Sequence, residues 1–223
     1  MTAGPTIRFA PFAVGPVRVQ PGQLTLIAGP CVIEDDGMAA EVAAEIKKIA
    51  ASLDLPFIFK ASYAKANRSS GESYRGPGIE EGLAALTRVR ERLGVPVTSD
   101  VHEIADVTSA AEVLDLIQIP AFLCRQTPLI EAAAGTGLPV HIKKGQFLDP
   151  ASMSRAVEKA RAAGASGVIL TERGTTFGYG DLVVDFRSFA IMARLGCPVF
   201  FDATHSVQRP GGAETGGQRE FIP

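Results

Sequence analysis

The sequence has three cysteines among its 223 residues, Cys31, Cys124 and Cys197, and no CxxC. So few, so far apart and odd in number, they exclude a disulfide framework. It also lacks a charge imbalance. Its 22 Lys and Arg against 24 Asp and Glu leave a net charge of -2, which offers nothing to a nucleic-acid backbone or an acidic membrane surface. No apolar run is long enough to span a bilayer. The start, MTAGPTIRFAPF, has neither the basic head nor the long apolar core of a signal peptide. Repeats, low-complexity stretches and linkers are missing too. What is present is a chain of ordinary composition, 46% hydrophobic and 21% charged. At 23.4 kDa it is long enough for a full core. A soluble, cytoplasmic protein with no nucleic-acid or membrane partner is expected.

Short extended pieces at 7–12 and 16–19, around Gly15-Pro16 and before Pro21-Gly22, predict a small hairpin within residues 1–22. After it, apolar strands at 24–29, 57–61, 95–100, 116–120, 140–143, 167–171 and 199–202 alternate with helical stretches at 38–53, 78–93, 104–113, 128–134, 150–163 and 186–195. Continuous apolar strands alternating with helices predict a parallel sheet covered by helices. Thr175 to Gly180, rich in glycine and threonine, reads as a long turn or a flap.

Each predicted strand delivers polar residues at its C-terminal end. They are Gly29-Pro30-Cys31, Lys60, Asp100 with His102, Gln118 through Arg125, Lys143-Lys144, Glu172-Arg173-Gly174, and Asp202 with His205. An open doubly wound sheet needs polar groups only at its switch point. Contributions from every strand imply a ring, a single-domain (β/α)8 TIM barrel with its site on the C-terminal face. Such a barrel takes roughly 250 residues. Residues 1–223 are therefore expected to hold about seven of its eight β/α units, the eighth strand and last helices falling outside them.

The richest of these segments is FKASYAKANRSS, residues 59–70. Lys60, Lys65 and Arg68 are long cations, Asn67 both donates and accepts, and Ser69 and Ser70 add hydroxyls. Such groups suit phosphate oxygens and sugar hydroxyls, although a solvated basic loop would read the same way.

Together with IAGPCVIE (27–34), SYRGPG (73–78), TSDVHE (98–103), IQIPAFLCRQT (117–127), IKKGQF (142–147), TERGTTFGYGDLVVD (171–185) and DATHSVQRPGG (202–212), this segment resembles the 3-deoxy-D-manno-octulosonate 8-phosphate synthase family. The resemblance covers nearly all of the chain, with the motifs in family order. It implies a transferase of lipopolysaccharide biosynthesis that condenses phosphoenolpyruvate with D-arabinose 5-phosphate. The related 3-deoxy-D-arabino-heptulosonate 7-phosphate synthases, which take erythrose 4-phosphate, usually carry a Lys-Pro-Arg type of sequence where this chain has KANRSS.

The resemblance assigns Lys60, Lys65, Gln118, Lys143 and Arg173 to phosphoenolpyruvate. It assigns Asn67, Arg68 and Ser69 to arabinose 5-phosphate. Arg125 corresponds to an arginine that reaches the phosphate in a neighbouring subunit, as expected of a homotetramer. Lys65, Asn67, Asp100 and His205 are the expected catalytic residues. Cysteine in GPCVIE resembles the metal-dependent subclass, so Cys31 and His205 are expected to ligate a divalent metal such as Zn, Fe or Mn. The family's remaining ligands, a glutamate and an aspartate, have no counterpart in this sequence, and Glu214 and Glu220 are not in the matching motif.

Taken alone, the same residues have plainer readings: Cys31 a small buried hydrophobe, Cys124 and Cys197 packing, Lys143-Lys144 a solvated strand end, Arg173 a salt bridge with Glu172. Three other functions compete: a heptulosonate phosphate synthase, a Schiff-base aldolase using Lys143 or Lys60, and a non-catalytic sugar-phosphate-binding protein on an unclosed barrel.

Overall fold

The structure, a computed structural model, describes residues 9–66 and 74–209. Strands β1 (Phe12–Val14) and β2 (Val17–Val19) pair antiparallel as the N-terminal hairpin. Its first arm lies C-terminal to the expected 7–12, because the reversal falls on Gly15, whose φ of 52° is a left-handed conformation that glycine takes without strain.

Then follow β3 (Leu26–Ala28), α1 (Asp36–Ser52), β4 (Phe57–Lys60), α2 (Ile79–Leu93), β5 (Val97–Asp100), α3 (Ile104–Val113), β6 (Leu116–Ile119), α4 (Thr127–Gly135), β7 (Val140–Lys143), α5 (Ser154–Ala162) and β8 (Val168–Glu172). A second hairpin, β9 (Thr175–Phe177) and β10 (Asp181–Val183), stands where the sequence reads as a long turn or flap. The chain continues into α6 (Arg187–Ala193) and β11 (Val199–Phe201). Helix boundaries follow local chemistry. Asp35 caps α1 by accepting from the Met38 amide at 2.8 Å, and α2 stops at Gly94 in the left-handed region.

Seven strands form one parallel sheet in the order β11-β8-β7-β6-β5-β4-β3, every strand beside its successor in the barrel sequence. Side chains alternate across a strand, and the register separates them cleanly. Phe57, Phe59, Val97, Ile117, Ile119, Val140, Ile142, Val168 and Leu170 face the helices and make the main core. Ile58, Leu116 and Ile169 face inward, where Val14 and Val19 of the first hairpin cover them from the N-terminal end. The next inward positions toward the C-terminal end are Lys60, Gln118 and Thr171. Layers drawn from alternate strands are what a (β/α)8 interior is built from.

The sheet is curled. Seven strands laid flat would hold the outer two about 29 Å apart, yet Cys31, just after β3, comes within 4.0 Å of His205, just after β11. Among the described residues no strand joins β11 to β3, and both keep an open edge, as expected for about seven units. A cavity of about 1060 Å³ lies there, lined by Leu24, Ile27, Phe186, Phe189, Phe200 and Phe201 among others.

Candidate active site

Alternation along β4 places Lys60 on the inner face above Ile58, and Ser62, just beyond the strand, continues the same row. The Lys60 ammonium donates to Ser62 Oγ at 2.7 Å and lies 3.5 Å from Asp100 Oδ1. Ser62 in turn donates to Asp100, and His102 Nε2 lies 3.2 Å from its other oxygen. Burial pushes the Asp100 carboxyl up, but Lys60 and His102 outweigh it and hold the group well below the usual carboxylate range. Gln118, buried at the C-terminal end of β6, is paired in register with Asp100.

A second group lies across the interior. Lys143, inward at the end of β7, reaches past β8 to donate to Asp202, which follows β11. The same Asp202 oxygen, Oδ2, lies 2.8 Å from His205 Nδ1. Its other oxygen accepts the His205 and Thr204 amides at 2.9 and 3.2 Å. Burial raises the Asp202 carboxyl, and Lys143 with His205 more than reverses this. The hydrogen bond from His205 brings the Cys31 thiol down to about 6, helped by Lys65 and Lys60 against its burial. Cys31 is thus a solvent-exposed thiolate near neutral pH, which corrects its reading as a small buried hydrophobe. Cys124 and Cys197 are buried, as packing residues should be.

Two more cations complete the site. Lys65 is half-buried, and its ammonium is depressed by burial first and by Lys60 second. Arg173 is buried at 6% exposure, with Nη2 donating to Gln208 Oε1 at 2.7 Å and Nη1 buried without a partner among the described residues. Four cations, Lys60, Lys65, Lys143 and Arg173, thus face two carboxylates, Asp100 and Asp202, and the Cys31 thiol. Burial is the first force lowering Lys143, and Lys60 and Arg173 add to it. The pocket is short of negative charge, and an anion would supply it.

Sequence reasoning located most of these groups. Cys31, Lys60, Lys65, Asp100, Gln118, Lys143, Arg173 and His205 all fall at the C-terminal end of the sheet, whereas Asn67, Arg68 and Ser69 lie outside the described residues. Arg125 is exposed after β6.

Two plain readings are corrected. Lys144 is not solvated but has 0% exposure. Glu172 pairs with Lys144 at 3.4 Å and not with Arg173, because consecutive residues at a strand end face opposite sides of the sheet. Ser62 and the central place of Asp202 were missed. Ser62 shares the inner face with Lys60 by period two, and that was the available signal.

Cys31 Sγ and His205 Nε2 are 4.0 Å apart, close to the roughly 3.6 Å that tetrahedral zinc bonds to sulfur and nitrogen would set. Asp202 on Nδ1 orients the ring and leaves Nε2 facing the thiol, the usual support of a metal-bound histidine. These two donors fit a divalent metal. Among the described residues no set of three or more His, Cys, Asp or Glu gathers around one point.

Fold and site together define a (β/α)8-type barrel enzyme with a cation-rich site at the C-terminal face of its sheet. The chain belongs to the DAHP synthetase I family, whose family model matches residues 18–223. It is 57% identical over 200 residues to the 2-dehydro-3-deoxyphosphooctonate aldolase of Acidithiobacillus ferrooxidans, covering 89% of this chain and 71% of that protein. Proteins of the same name from an Azoarcus species and from Trichlorobacter lovleyi are 59% identical over 202 residues and 55% over 213. Those matches cover 89% and 94% of this chain, and 72% and 78% of the relatives.

Proposed function

We propose that the protein is a 3-deoxy-D-manno-octulosonate 8-phosphate synthase, joining phosphoenolpyruvate to D-arabinose 5-phosphate with release of phosphate. The observation that carries this reading is the excess of buried cations on the inner face, with Arg173 Nη1 aimed at no protein group among those described. Identities of 55–59% to proteins named for the octulosonate reaction favour it over the heptulosonate alternative.

Phosphoenolpyruvate brings a carboxylate and a phosphate into one site; Lys60, Gln118 and Lys143 line the cavity, and Lys65 and Arg173 would add the further cations. Fixed cations in a low-dielectric pocket also stabilise charge that develops during reaction. The vinyl carbon attacks the sugar aldehyde to form the new carbon–carbon bond. Water adds at C2, and the C–O bond to phosphate then breaks. Lys65, whose ammonium is made more acidic by burial, would give a proton to the aldehyde oxygen as it becomes a hydroxyl. Asp100, ionised and held by Lys60 and Ser62, is an acceptor for sugar hydroxyls. Asn67, Arg68 and Ser69 would complete the sugar-phosphate pocket.

The enzyme belongs, in this reading, to the metal-dependent subclass, with Cys31 and His205 as two of the ligands. A bound divalent ion would polarise the aldehyde and activate water. A cytoplasmic homotetramer follows, in which Arg125, exposed on one subunit, serves the sugar phosphate of the next. The test is phosphate release from phosphoenolpyruvate with arabinose 5-phosphate and, separately, with erythrose 4-phosphate. Turnover with the first and little with the second is expected. A preference for erythrose 4-phosphate would transfer the enzyme to the heptulosonate class, and a borohydride-trapped adduct on Lys143 or Lys60 would point to a Schiff-base aldolase.

A further inference from the structure

Residues 202–209 follow β11 and carry four polar contacts at short intervals. Asp202 accepts from Lys143, and His205 Nε2 lies 4.0 Å from Cys31 Sγ. Gln208 accepts from Arg173 Nη2 at 2.7 Å, and Arg209 pairs with Asp181 of β10 at 3.1 Å. The first three residues are spaced by three. A 3-10 turn over His205–Val207 lies within this run, and three residues per turn bring i and i+3 over one another. Asp202 and His205 are already parts of the site. Gln208 continues their spacing.

Arg173 is buried and lies close enough to Lys143 to lower that lysine's ammonium. Asp202 and Glu172 act on the guanidinium through their charge, but among the described residues its hydrogen bond is to Gln208 alone. A guanidinium has donors only, so the amide turns its oxygen to Nη2. Nη1 stays buried without a partner among those residues. The amide oxygen is also uncharged. A carboxylate in its place would form an ion pair with the arginine, and an arriving anion would meet that pair instead of a free cation. Gln208 is itself fixed at its base. Its backbone N–H donates to the His205 carbonyl at 3.3 Å, and the next residue carries the Asp181 contact.

We propose that Gln208 is a positioning residue for Arg173. Its neutral amide oxygen holds the guanidinium through Nη2 and leaves the charge and Nη1 to an anionic substrate. This rests on the reading of Arg173 as a phosphoenolpyruvate contact. Without the amide, the long side chain regains rotamer freedom, and ordering it again opposes binding. With a glutamate the guanidinium stays in place, but its charge is cancelled.

The test is made in the intact enzyme with four proteins: parent, Gln208→Ala, Gln208→Glu and Arg173→Met. Phosphoenolpyruvate binding is measured by titration calorimetry without the sugar, so that no turnover occurs, and folding is checked by circular dichroism. Gln208→Ala is expected to weaken binding at least fivefold. Gln208→Glu keeps the shape and strengthens the contact with Arg173, yet is expected to weaken binding at least tenfold. KM for arabinose 5-phosphate, from steady-state assays, should stay within twofold in both. A purely structural tie predicts the opposite order, with the glutamate variant equal to the parent.

Phosphoenolpyruvate affinity within threefold of the parent in either folded Gln208 variant overturns the proposal. If Gln208→Ala does not fold, Gln208→Glu decides: tenfold weaker binding supports the proposal and parent-like binding overturns it. Arg173→Met keeps the two readings apart. If it binds phosphoenolpyruvate as the parent does, the assignment of Arg173 fails and the proposal with it. If it binds weakly while the Gln208 variants do not, only the positioning role fails.

Discussion

Lys143 and Asp202 meet across the inside of the sheet, one at the end of β7 and the other after β11, with β8 between them. The oxygen of Asp202 that accepts from Lys143 is also the one that lies 2.8 Å from His205 Nδ1. One carboxylate oxygen therefore joins the anion pocket to the thiol–imidazole pair, and neither can be rearranged without the other.

Asp202→Asn should disturb both at once. The Lys143 ammonium loses its charged acceptor, and the His205 ring loses the group that fixes which nitrogen faces Cys31. Loss of such a supporting carboxylate typically costs about 10–100-fold in activity or metal affinity. Steady-state assays at graded metal concentration check this; kcat and metal dependence within twofold of the parent would show that the shared oxygen is not needed.

Cys31 should be the reactive thiol. With its value brought to about 6, alkylation of metal-free protein by iodoacetamide should rise through an inflection near pH 6. Burial pushes Cys124 and Cys197 the other way, so they should stay unmodified in the folded protein. In His205→Ala the inflection should move up toward the ordinary thiol range, about 8.5. Added zinc should slow the reaction if Cys31 is a ligand; mass spectrometry showing equal labelling with and without zinc would remove it from the metal reading.

Gly29 should tolerate no side chain. A Cβ there would stand 2.0 Å from the Lys60 carbonyl oxygen, and φ is 154°. Backbone cannot step aside as a flexible side chain would. Gly29→Ala is expected to destabilise the fold by about 1–3 kcal/mol, the usual range for overpacking. It should also push the β3 loop, and Cys31 with it, away from His205. A denaturant melt and the pH dependence of Cys31 alkylation would detect the two effects separately.

His141 gives the stability curve an acid limb. Burial, and after it the neighbouring Lys143 charge, lower its value from 6.5 to about 3. Between those limits the unfolded chain binds a proton that the folded one refuses. The stabilisation is therefore fully present above about pH 6.5 and is lost as pH falls toward 3, with a slope of up to about 1.4 kcal/mol per pH unit. In His141→Asn that component should vanish from melts run between pH 4 and pH 7. An identical slope in both proteins would mean that His141 is protonated without cost.

The sheet was legible because its strands are short continuous apolar runs set apart by helices, and β7 falls on its expected residues 140–143. The site was legible as a set of strand ends. The β9–β10 hairpin was not, because Thr175, Thr176 and Phe177 are all exposed and so show no buried alternation. Nor was the partner choice of Glu172. Adjacent opposite charges suggest a pair, and only the pleat of β8 sends them to opposite sides. The approach of Cys31 to His205 depends on the curl that brings β3 and β11 together, a long-range property that no local pattern carries.

The chemistry of this chain and its helix-to-strand turns occupy opposite ends of the sheet. Every described residue assigned to a substrate or metal lies at or beyond the C-terminal end of a strand, while turns such as those at Gly94, Gly137 and Gly164 bring the chain back at the other end. Sequence can drift, or the backbone be cut and rejoined, at those returns without moving a reacting group. A lineage built this way can retune its thermal range through one rim of the molecule while its substrates continue to be read by the other.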